Sequence, residues 1–225
     1  CDAEVIVVNN ASTDNTGEAA RRFACVRVVN EPKKGLVRAR HAGHQASTGE
    51  LIANIDADTI LPKGWLARVL SEFSKNERLA ALSGPYIYYD LSFFTRSLVR
   101  IFYVGGYLFY LINYNLFRGG AMLQGGNFVV RRTHLEQVGG FDTSIEFYGE
   151  DTDIARRISK AGIVKWTFRL PMYSSGRRLA QEGVVRTGMR YAVNYFYTLF
   201  RGRPLTKTYT DIRSDTAAAR RGRGG

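Results

Sequence analysis

Two aspartates separated by one residue stand where a buried strand is predicted to end. The apolar residues 51–53 lead into Asn54-Ile55-Asp56-Ala57-Asp58. Because side chains alternate faces along a strand, Asp56 and Asp58 would point the same way, and their like charges would repel each other. A positive partner is therefore expected. A divalent cation that takes carboxylate and phosphate oxygens would satisfy both residues, while an ordinary strand-end turn is the alternative.

A second acidic pair, Glu150-Asp151, follows Gly149 at the predicted start of a helix. The helix dipole favours acidic residues at this position, so simple capping is one interpretation. The other interpretation is a carboxylate general base that the helix holds beside a flexible glycine. The residues alone leave both open.

Other polar residues could join these acids in one site. Asn9-Asn10 follows the first predicted strand, and ligands of parallel α/β sheets bind beyond the carboxyl ends of the strands. Asn9-Asn10 and residues 56–58 are therefore expected to share a site. Arg177-Arg178 could reach a diphosphate, although a solvated pair is an equal alternative. No zinc site is predicted from the spacing of the histidines, which are His41, His44 and His134.

The elements that must position these residues alternate along the first half of the chain. Strands are predicted at 5–8, 26–29, 51–55 and 79–82. Helices are predicted at 15–24 and 35–46 and after Pro62, with Phe23, Leu66 and Leu70 among their inward residues. A later part is predicted as strand 127–130, helix 133–138, helix 150–161 and strand 164–168. This order predicts an α/β fold with a mixed, mainly parallel sheet flanked by helices.

Composition limits the classes of partner. The chain has 225 residues and a formal net charge of +12, from 32 Lys and Arg against 20 Asp and Glu, which favours anionic partners. Two cysteines, Cys1 and Cys25, make no disulfide framework, so a reducing compartment is expected. One domain is predicted over residues 1–212, with a disordered basic tail at 213–225. The direct entry from Cys1 into a strand indicates that the sequence starts inside a domain.

An aromatic insertion at 85–120 interrupts the α/β pattern. Residues 101–117 carry no charge, and on a helix their tyrosines form one stripe: Tyr103, Tyr107, Tyr110 and Tyr114. The segment is short for a spanning helix and contains Gly105-Gly106. A basic aromatic stretch at 186–203 follows. Together they predict peripheral contact with the cytoplasmic side of a membrane, and a buried helix or lid is the alternative.

Six segments, taken in order, resemble motifs of the family 2 glycosyltransferases. They are 5–16, 35–43, 55–58, 126–132, 138–142 and 149–153. The resemblance implies a GT-A (Rossmann-like) fold, a nucleotide-sugar donor, Mg²⁺ or Mn²⁺ as cofactor, and inversion at the anomeric carbon. It also implies that the family's first strand is absent from this sequence.

The resemblance implies roles for individual residues. Asn9 and Arg40 would lie near the nucleobase, and Asp56 near the ribose or the metal. The predicted donor-binding set is Asn9, Asn10, Asp14, Arg40, Asp56, Arg177 and Arg178. Asp58, with Asp56, would hold the metal, and Asp151 would be the general base with Glu150 beside it. The acceptor or sugar side would include Gly126 and Asn127. Two departures are Asn9-Asn10, where the family carries acids, and His41, where it carries asparagine.

The predicted function is an inverting transfer of a sugar from a nucleotide-diphosphate donor to a hydroxyl acceptor, either a glycan or a lipid-linked molecule. A catalytically inactive protein with the same fold is an alternative. A nucleic-acid-binding protein is another, suggested by the charge and the aromatic residues. It leaves both acidic pairs unexplained, so no nucleic acid is expected as a partner. A nucleotidyltransferase would also use paired aspartates, but it usually brings a glycine-rich basic N-terminal loop.

Overall fold

The computed structural model describes residues 3–117 and 122–206, without the side chains of 113–117. The expected tail at 213–225 and the side chain of Tyr114 lie outside the described residues. The strands are β1 (Val5–Asn10), β2 (Val26–Glu31), β3 (Leu51–Ile55), β4 (Thr59–Ile60), β5 (Leu79–Ser83), β6 (Tyr86–Tyr88), β7 (Asn127–Arg131), β8 (Ile163–Trp166) and β9 (Met172–Ser174). The helices are α1 (Thr16–Arg21), α2 (Leu36–Ala46), α3 (Trp65–Lys75), α4 (Phe93–Phe117), α5 (Arg132–Gln137), α6 (Glu150–Ile158), α7 (Arg177–Glu182) and α8 (Val184–Arg201).

The strands form three sheets, and the predicted α/β class is confirmed. A central sheet has the order β3-β7-β5-β8, β1 pairs with β2, and β4-β9-β6 forms the third sheet. β7 runs antiparallel to both β3 and β5. Parallel pairs join β1 to β2, β5 to β8 and β6 to β9. β4 also pairs antiparallel with β9, so the described strands form three parallel and three antiparallel pairs and the pairing is mixed.

Successive side chains of β7 point to opposite faces of the central sheet, and each face carries its own apolar cluster. Phe128 and Val130 join one apolar cluster with Ile154 of α6, whereas Val129 joins a second cluster with Val69 of α3. Every residue of β5 is buried, as expected for a strand covered on both faces. The sheet edge that carries the acidic residues is thus anchored by packing on both sides.

Three residues predicted to face inward do not. Leu66 and Leu70 of α3 are exposed, because a narrower stripe of Trp65, Val69 and Phe73 makes the contact with the sheet. Phe23 is exposed because α1 ends at Arg21, before its side chain could follow the buried face.

The three described tyrosines of the α4 stripe face the protein, so their predicted orientation toward a membrane interface is wrong. Tyr103 and Tyr107 pack against Trp166, with ring centroids 5.9 and 5.5 Å apart. Tyr110 donates a hydrogen bond to the carbonyl of Val164 at 3.1 Å. Tyr103 donates its hydroxyl to Gln124 Oε1 at 2.9 Å, so Tyr103 and Tyr110 both cover β8 with their rings and still hydrogen-bond through their hydroxyls. Among the described residues, no helix is long and apolar enough to cross a membrane.

Candidate active site

The two aspartates after β3 have separate positive partners. Arg40 Nη2 lies 3.6 Å from Asp56 Oδ1, and Arg177 Nη2 lies 3.1 Å from Asp58 Oδ2. The Asp56 amide donates to the carbonyl of Gly126, which ties the strand end to the loop before β7. Repulsion between the carboxylates is thus balanced by two arginines that come from α2 and α7.

Arg40 links the first acidic pair to the second. Its buried guanidinium forms an ion pair with Glu150 and lies 5.3 Å from the centroid of the Phe128 ring. Burial acts to lower the pKa of Arg40, but the carboxylates around it, Glu150 first, outweigh burial and raise the pKa. A permanent positive charge therefore stands between Asp56 and Glu150.

Glu150 and Asp151 begin α6 after Gly149, whose φ of 75° is a left-handed conformation that glycine tolerates. Burial raises the pKa of Glu150 to about 7 against the opposing effect of Arg40. Asp151 is partly exposed, and it accepts N–H bonds from Gly125 at 3.1 Å and Thr152 at 2.7 Å. Burial also raises its pKa, against Arg40 and these N–H groups. The helix start therefore holds one enclosed carboxylate and one accessible carboxylate.

The Gly125-Gly126 loop runs between the two acidic pairs. A Cβ at Gly126, where φ is 77°, would collide with the carboxylate of Asp56 and the hydroxyl of Tyr86. A Cβ at Gly125 would lie 3.0 Å from Glu150 Oε1 and 3.4 Å from Asp151 Oδ2. At Gly126 only glycine leaves room for the Asp56 carboxylate, whereas at Gly125 an added Cβ would make a tight contact with Glu150.

Tyr86 belongs to this centre and was missed by the sequence analysis. Its hydroxyl lies 3.2 Å from Asp56 Oδ2 and donates to the Gly125 carbonyl at 2.5 Å. Burial raises its pKa well above the ordinary value, so the hydroxyl remains a donor. One signal was available, because Tyr86 follows the buried β5 at the same edge of the sheet at which Asp56 follows β3.

Asn127 does not face the site, contrary to the acceptor role predicted for it. Its fully buried side chain donates to the carbonyls of Gly84 and Leu170, both at 3.0 Å, and accepts from Trp65 Nε1 at 3.3 Å. These bonds fix the loops around the site, because a buried amide must satisfy its donors and acceptor locally.

The predicted donor residues at the end of β1 lie at the entrance to α2. Asn10 Oδ1 accepts the Gly35 N–H at 2.8 Å, just before the helix that carries Arg40. Asn9 donates to Asn30 Oδ1, while its own Oδ1 is buried without a hydrogen-bond partner among the described residues. The end of β1 is thus connected through α2 to Arg40 and the acidic residues that Arg40 contacts.

The remaining predicted residues have local partners. Asp14 accepts the N–H of Thr16 at 3.1 Å, and Arg178 pairs with Glu182 at 3.0 Å. The buried His44 lies 3.9 Å from Glu136, and burial lowers its pKa. Within 3–117 and 122–206, no cluster of three or more His, Cys, Asp or Glu residues could hold a metal by itself.

Comparison with known proteins identifies the family. The model described as glycosyl transferase family 2 matches residues 1–139, and one described as N-terminal domain of galactosyltransferase matches residues 111–179. An uncharacterized glycosyltransferase of Mycobacterium tuberculosis is 40% identical over 74 residues, which are 33% of this chain and 34% of the relative. A probable glycosyltransferase of Bacillus subtilis is 26% identical over 174 residues, which are 71% of this chain and 40% of the relative.

Solved structures show the same fold. A mannosyltransferase from Pyrobaculum calidifontis in complex with GDP-Man and Mn²⁺ has a TM-score of 0.66 and 22% identity, over 88% of this chain and 55% of the other. Glucosyl-3-phosphoglycerate synthase from Mycobacterium tuberculosis, in complex with Mn²⁺, UDP-Glc and phosphoglyceric acid, has a TM-score of 0.54 and 20% identity, over 88% and 69%. The matches with the two curated relatives span about a third and two-fifths of their lengths.

Proposed function

The chain belongs to glycosyl transferase family 2, and from this premise we propose that it moves a sugar from a nucleoside-diphosphate donor to a hydroxyl group. The observation that carries the proposal is the meeting of two acidic pairs around Arg40 and the Gly125-Gly126 loop. The two similar structures described above hold a nucleotide sugar and Mn²⁺, which supports the same donor class for this chain.

The donor set after β3 fits a divalent cation. Asp56 and Asp58 are both partly exposed, and Mg²⁺ or Mn²⁺ is commonly bound by one or two carboxylates together with substrate phosphates. The guanidinium of Arg177 lies against Asp58 as a cation would. We propose that Asp58, with Asp56, holds the metal, which when bound neutralises charge on the leaving diphosphate. Arg177 would then turn from Asp58 to the diphosphate oxygens.

Donor recognition is proposed for the β1 end. The unpartnered Oδ1 of Asn9 can accept a hydrogen bond from a nucleobase N–H, a role that an acid at this position would also fill. Asn10, by holding Gly35, fixes the start of α2 and thus the position of Arg40. Asp14 and Arg178 remain predicted donor residues, although both have other partners in this structure.

We propose Asp151 as the general base. Its partial exposure lets it meet an acceptor hydroxyl, and the raised pKa makes it a better proton acceptor than an ordinary aspartate. Removal of the hydroxyl proton allows a single displacement with inversion, which needs no covalent intermediate. Glu150, enclosed and paired with Arg40, positions Asp151 and the loop. Gly126 remains the residue proposed on the acceptor or sugar side, where its lack of a side chain lets Asp56 and Tyr86 approach the loop.

The acceptor and its location are further proposals. The basic chain and its two acid-free aromatic helices support an acceptor that is lipid-linked or a growing glycan at the cytoplasmic side of a membrane. The protein would be peripheral there, or anchored by segments outside this sequence.

Calorimetry with a nucleoside diphosphate tests the proposed metal site. Asp58→Ala is expected to abolish Mn²⁺-dependent binding, because it removes the main carboxylate ligand. The matched control is Glu77→Ala, which removes an exposed carboxylate between α3 and β5. Unchanged binding by Asp58→Ala would refute the assignment. A folded chain that shows no metal-dependent nucleotide binding, tested with a range of donors, would identify the inactive alternative.

A further inference from the structure

The outer face of α4 is an apolar stripe without a partner in the described structure. Ile101 is 67% exposed, and the residues that share its side of the helix are also exposed: Phe94, Val104, Leu108 and Ile112. Their spacing keeps them within one face at 3.6 residues per turn. This face lies opposite the tyrosines that pack on Trp166, so α4 is apolar on both sides.

α8 presents a second stripe of the same kind. Phe200 is 76% exposed, and the other members of the stripe, again on one helical face, are Val185, Met189, Val193 and Phe196. The opposite side of α8 is buried through Thr187, Asn194 and Thr198. A helix that buries polar residues and exposes apolar ones inverts the usual pattern of a surface helix.

The two stripes lie on neighbouring helices. The Phe109 ring of α4 lies 4.9 Å from that of Phe196 and 6.1 Å from that of Tyr195. Phe102 lies beside Gly188, where a Cβ would stand 3.3 Å from its ring. α4 and α8 therefore present one apolar surface, which is called the α4–α8 surface below. A contiguous apolar surface that is exposed on two neighbouring helices is typical of a site of interaction.

Charge distinguishes among possible partners of this surface. Neither α4 nor α8 contains an acidic residue, while each carries an exposed arginine beside its stripe. Arg100 stands four residues before Val104 on α4, and Arg186 stands seven residues before Val193 on α8. A second copy of the chain would bring arginines against arginines across the same surface, which like-charge repulsion disfavours. An anionic lipid surface takes the apolar stripes and the arginines together.

We propose that the α4–α8 surface docks on an anionic lipid bilayer, with the apolar stripes at the level of the acyl-chain boundary and the arginines among the headgroups. The idea that this docking brings the enzyme to a lipid-linked acceptor rests on the proposed function. The binding to lipid itself is inferred from the α4–α8 surface alone. Each arginine near the headgroups is expected to strengthen binding about fivefold at low salt, and high salt would remove most of that gain.

Vesicle co-sedimentation of the full chain tests the proposal. The chain is expected to sediment with vesicles of phosphatidylcholine and phosphatidylglycerol at low salt, and weakly with phosphatidylcholine alone. Ile101→Ser/Leu108→Ser should weaken binding roughly tenfold or more, because both side chains lose their apolar contact. Arg100→Gln/Arg186→Gln should weaken it mainly at low salt. The matched control is Leu66→Ser/Leu70→Ser, two equally exposed leucines on α3, which should leave binding unchanged.

Failure of the docking proposal and failure of the proposed function are distinguishable. Absence of sedimentation with anionic vesicles, or equal losses in the Ile101/Leu108 and Leu66/Leu70 variants, overturns docking. A doubled mass in light scattering that Ile101→Ser/Leu108→Ser abolishes also overturns it, in favour of a second copy as the partner. Metal-dependent nucleoside-diphosphate binding without vesicles is measured separately and should be the same in every variant. Its absence in the unaltered chain contradicts the proposed function and leaves docking in place.

Discussion

Replacing Arg40 by leucine tests the ion pair that joins the two acidic motifs. The side chains of Arg40 and Glu150 are only 7% and 6% exposed, so Arg40→Leu leaves a buried carboxylate without its counter-charge. The second oxygen, Glu150 Oε2, is buried and has no hydrogen-bond partner among the described residues. Breaking a buried pair from one side costs about 3–5 kcal/mol of the free energy of unfolding. We expect a loss in this range.

The assay is urea unfolding followed by tryptophan fluorescence at about pH 8, where Glu150 of the unaltered chain, with a pKa of about 7 beside Arg40, is ionised. The matched control is Arg27→Leu, because Arg27 and Glu4 form an exposed pair whose side chains are 51% and 34% accessible. Its loss should cost at most about 1 kcal/mol. The cost of Arg40→Leu should shrink as the pH is lowered towards 7, since the loss of Arg40 removes an effect that lowers the pKa of Glu150 and the unpaired carboxyl binds a proton more readily.

The double variant Arg40→Leu/Glu150→Leu should recover most of the lost stability, because an apolar pair of similar volume often replaces a buried ion pair without loss. If Arg40→Leu costs no more than Arg27→Leu, the pair does not hold the two motifs together. A double variant that is no more stable than Arg40→Leu would assign the loss to packing instead of charge.

Three further predictions concern the same centre. Asp151→Asn should lower the rate of sugar transfer ~10²–10⁴-fold, with nucleoside-diphosphate affinity unchanged in calorimetry; an active Asp151→Asn enzyme beside an inactive Glu150→Gln enzyme would reverse their roles. Tyr86→Phe should lower the free energy of unfolding in urea by about 1 kcal/mol, because it removes the hydroxyl that lies between Asp56 and the Gly125 carbonyl. It should also weaken Mn²⁺-dependent nucleotide binding, and unchanged binding would limit Tyr86 to a structural role. Burial raises the pKa of Glu150 from 4.5 to about 7, so between these values the folded state holds a proton that the unfolded state has released. Stability should therefore fall as the pH rises from about 4.5 through 7. Glu150→Gln should flatten this pH dependence in thermal melts, and an unchanged dependence would assign it to other groups.

Local patterns predicted the longer strands and helices up to β8, but not the short strands β4, β6 and β9 or the helices α7 and α8, and not all of the buried faces. The alternation of β-branched runs and helical periodicity indicated the α/β class, and glycine before the acids indicated the start of α6. Along residues 101–117 of α4, however, every side of the helix is uncharged, so periodicity could not say which side is buried. The answer depends on Trp166 and Phe168, which reach α4 from β8 and the turn after it. The tyrosine stripe was therefore identified correctly and oriented wrongly.

The acidic residues of the site could be identified from the sequence, but the contacts between them could not be predicted. Two carboxylates at a strand end and a carboxylate at a helix start are local signals, readable within a few residues. Arg40 contacts both Asp56 and Glu150, Tyr86 contacts Asp56, and Asn127 is buried against the carbonyls of Gly84 and Leu170. All of these contacts join segments that are far apart in the chain. Such contacts depend on which strands become neighbours, and here β7 sets them by entering between β3 and β5. Strand pairing is decided by packing on both faces of the sheet, a property of the whole fold that no short window of sequence contains.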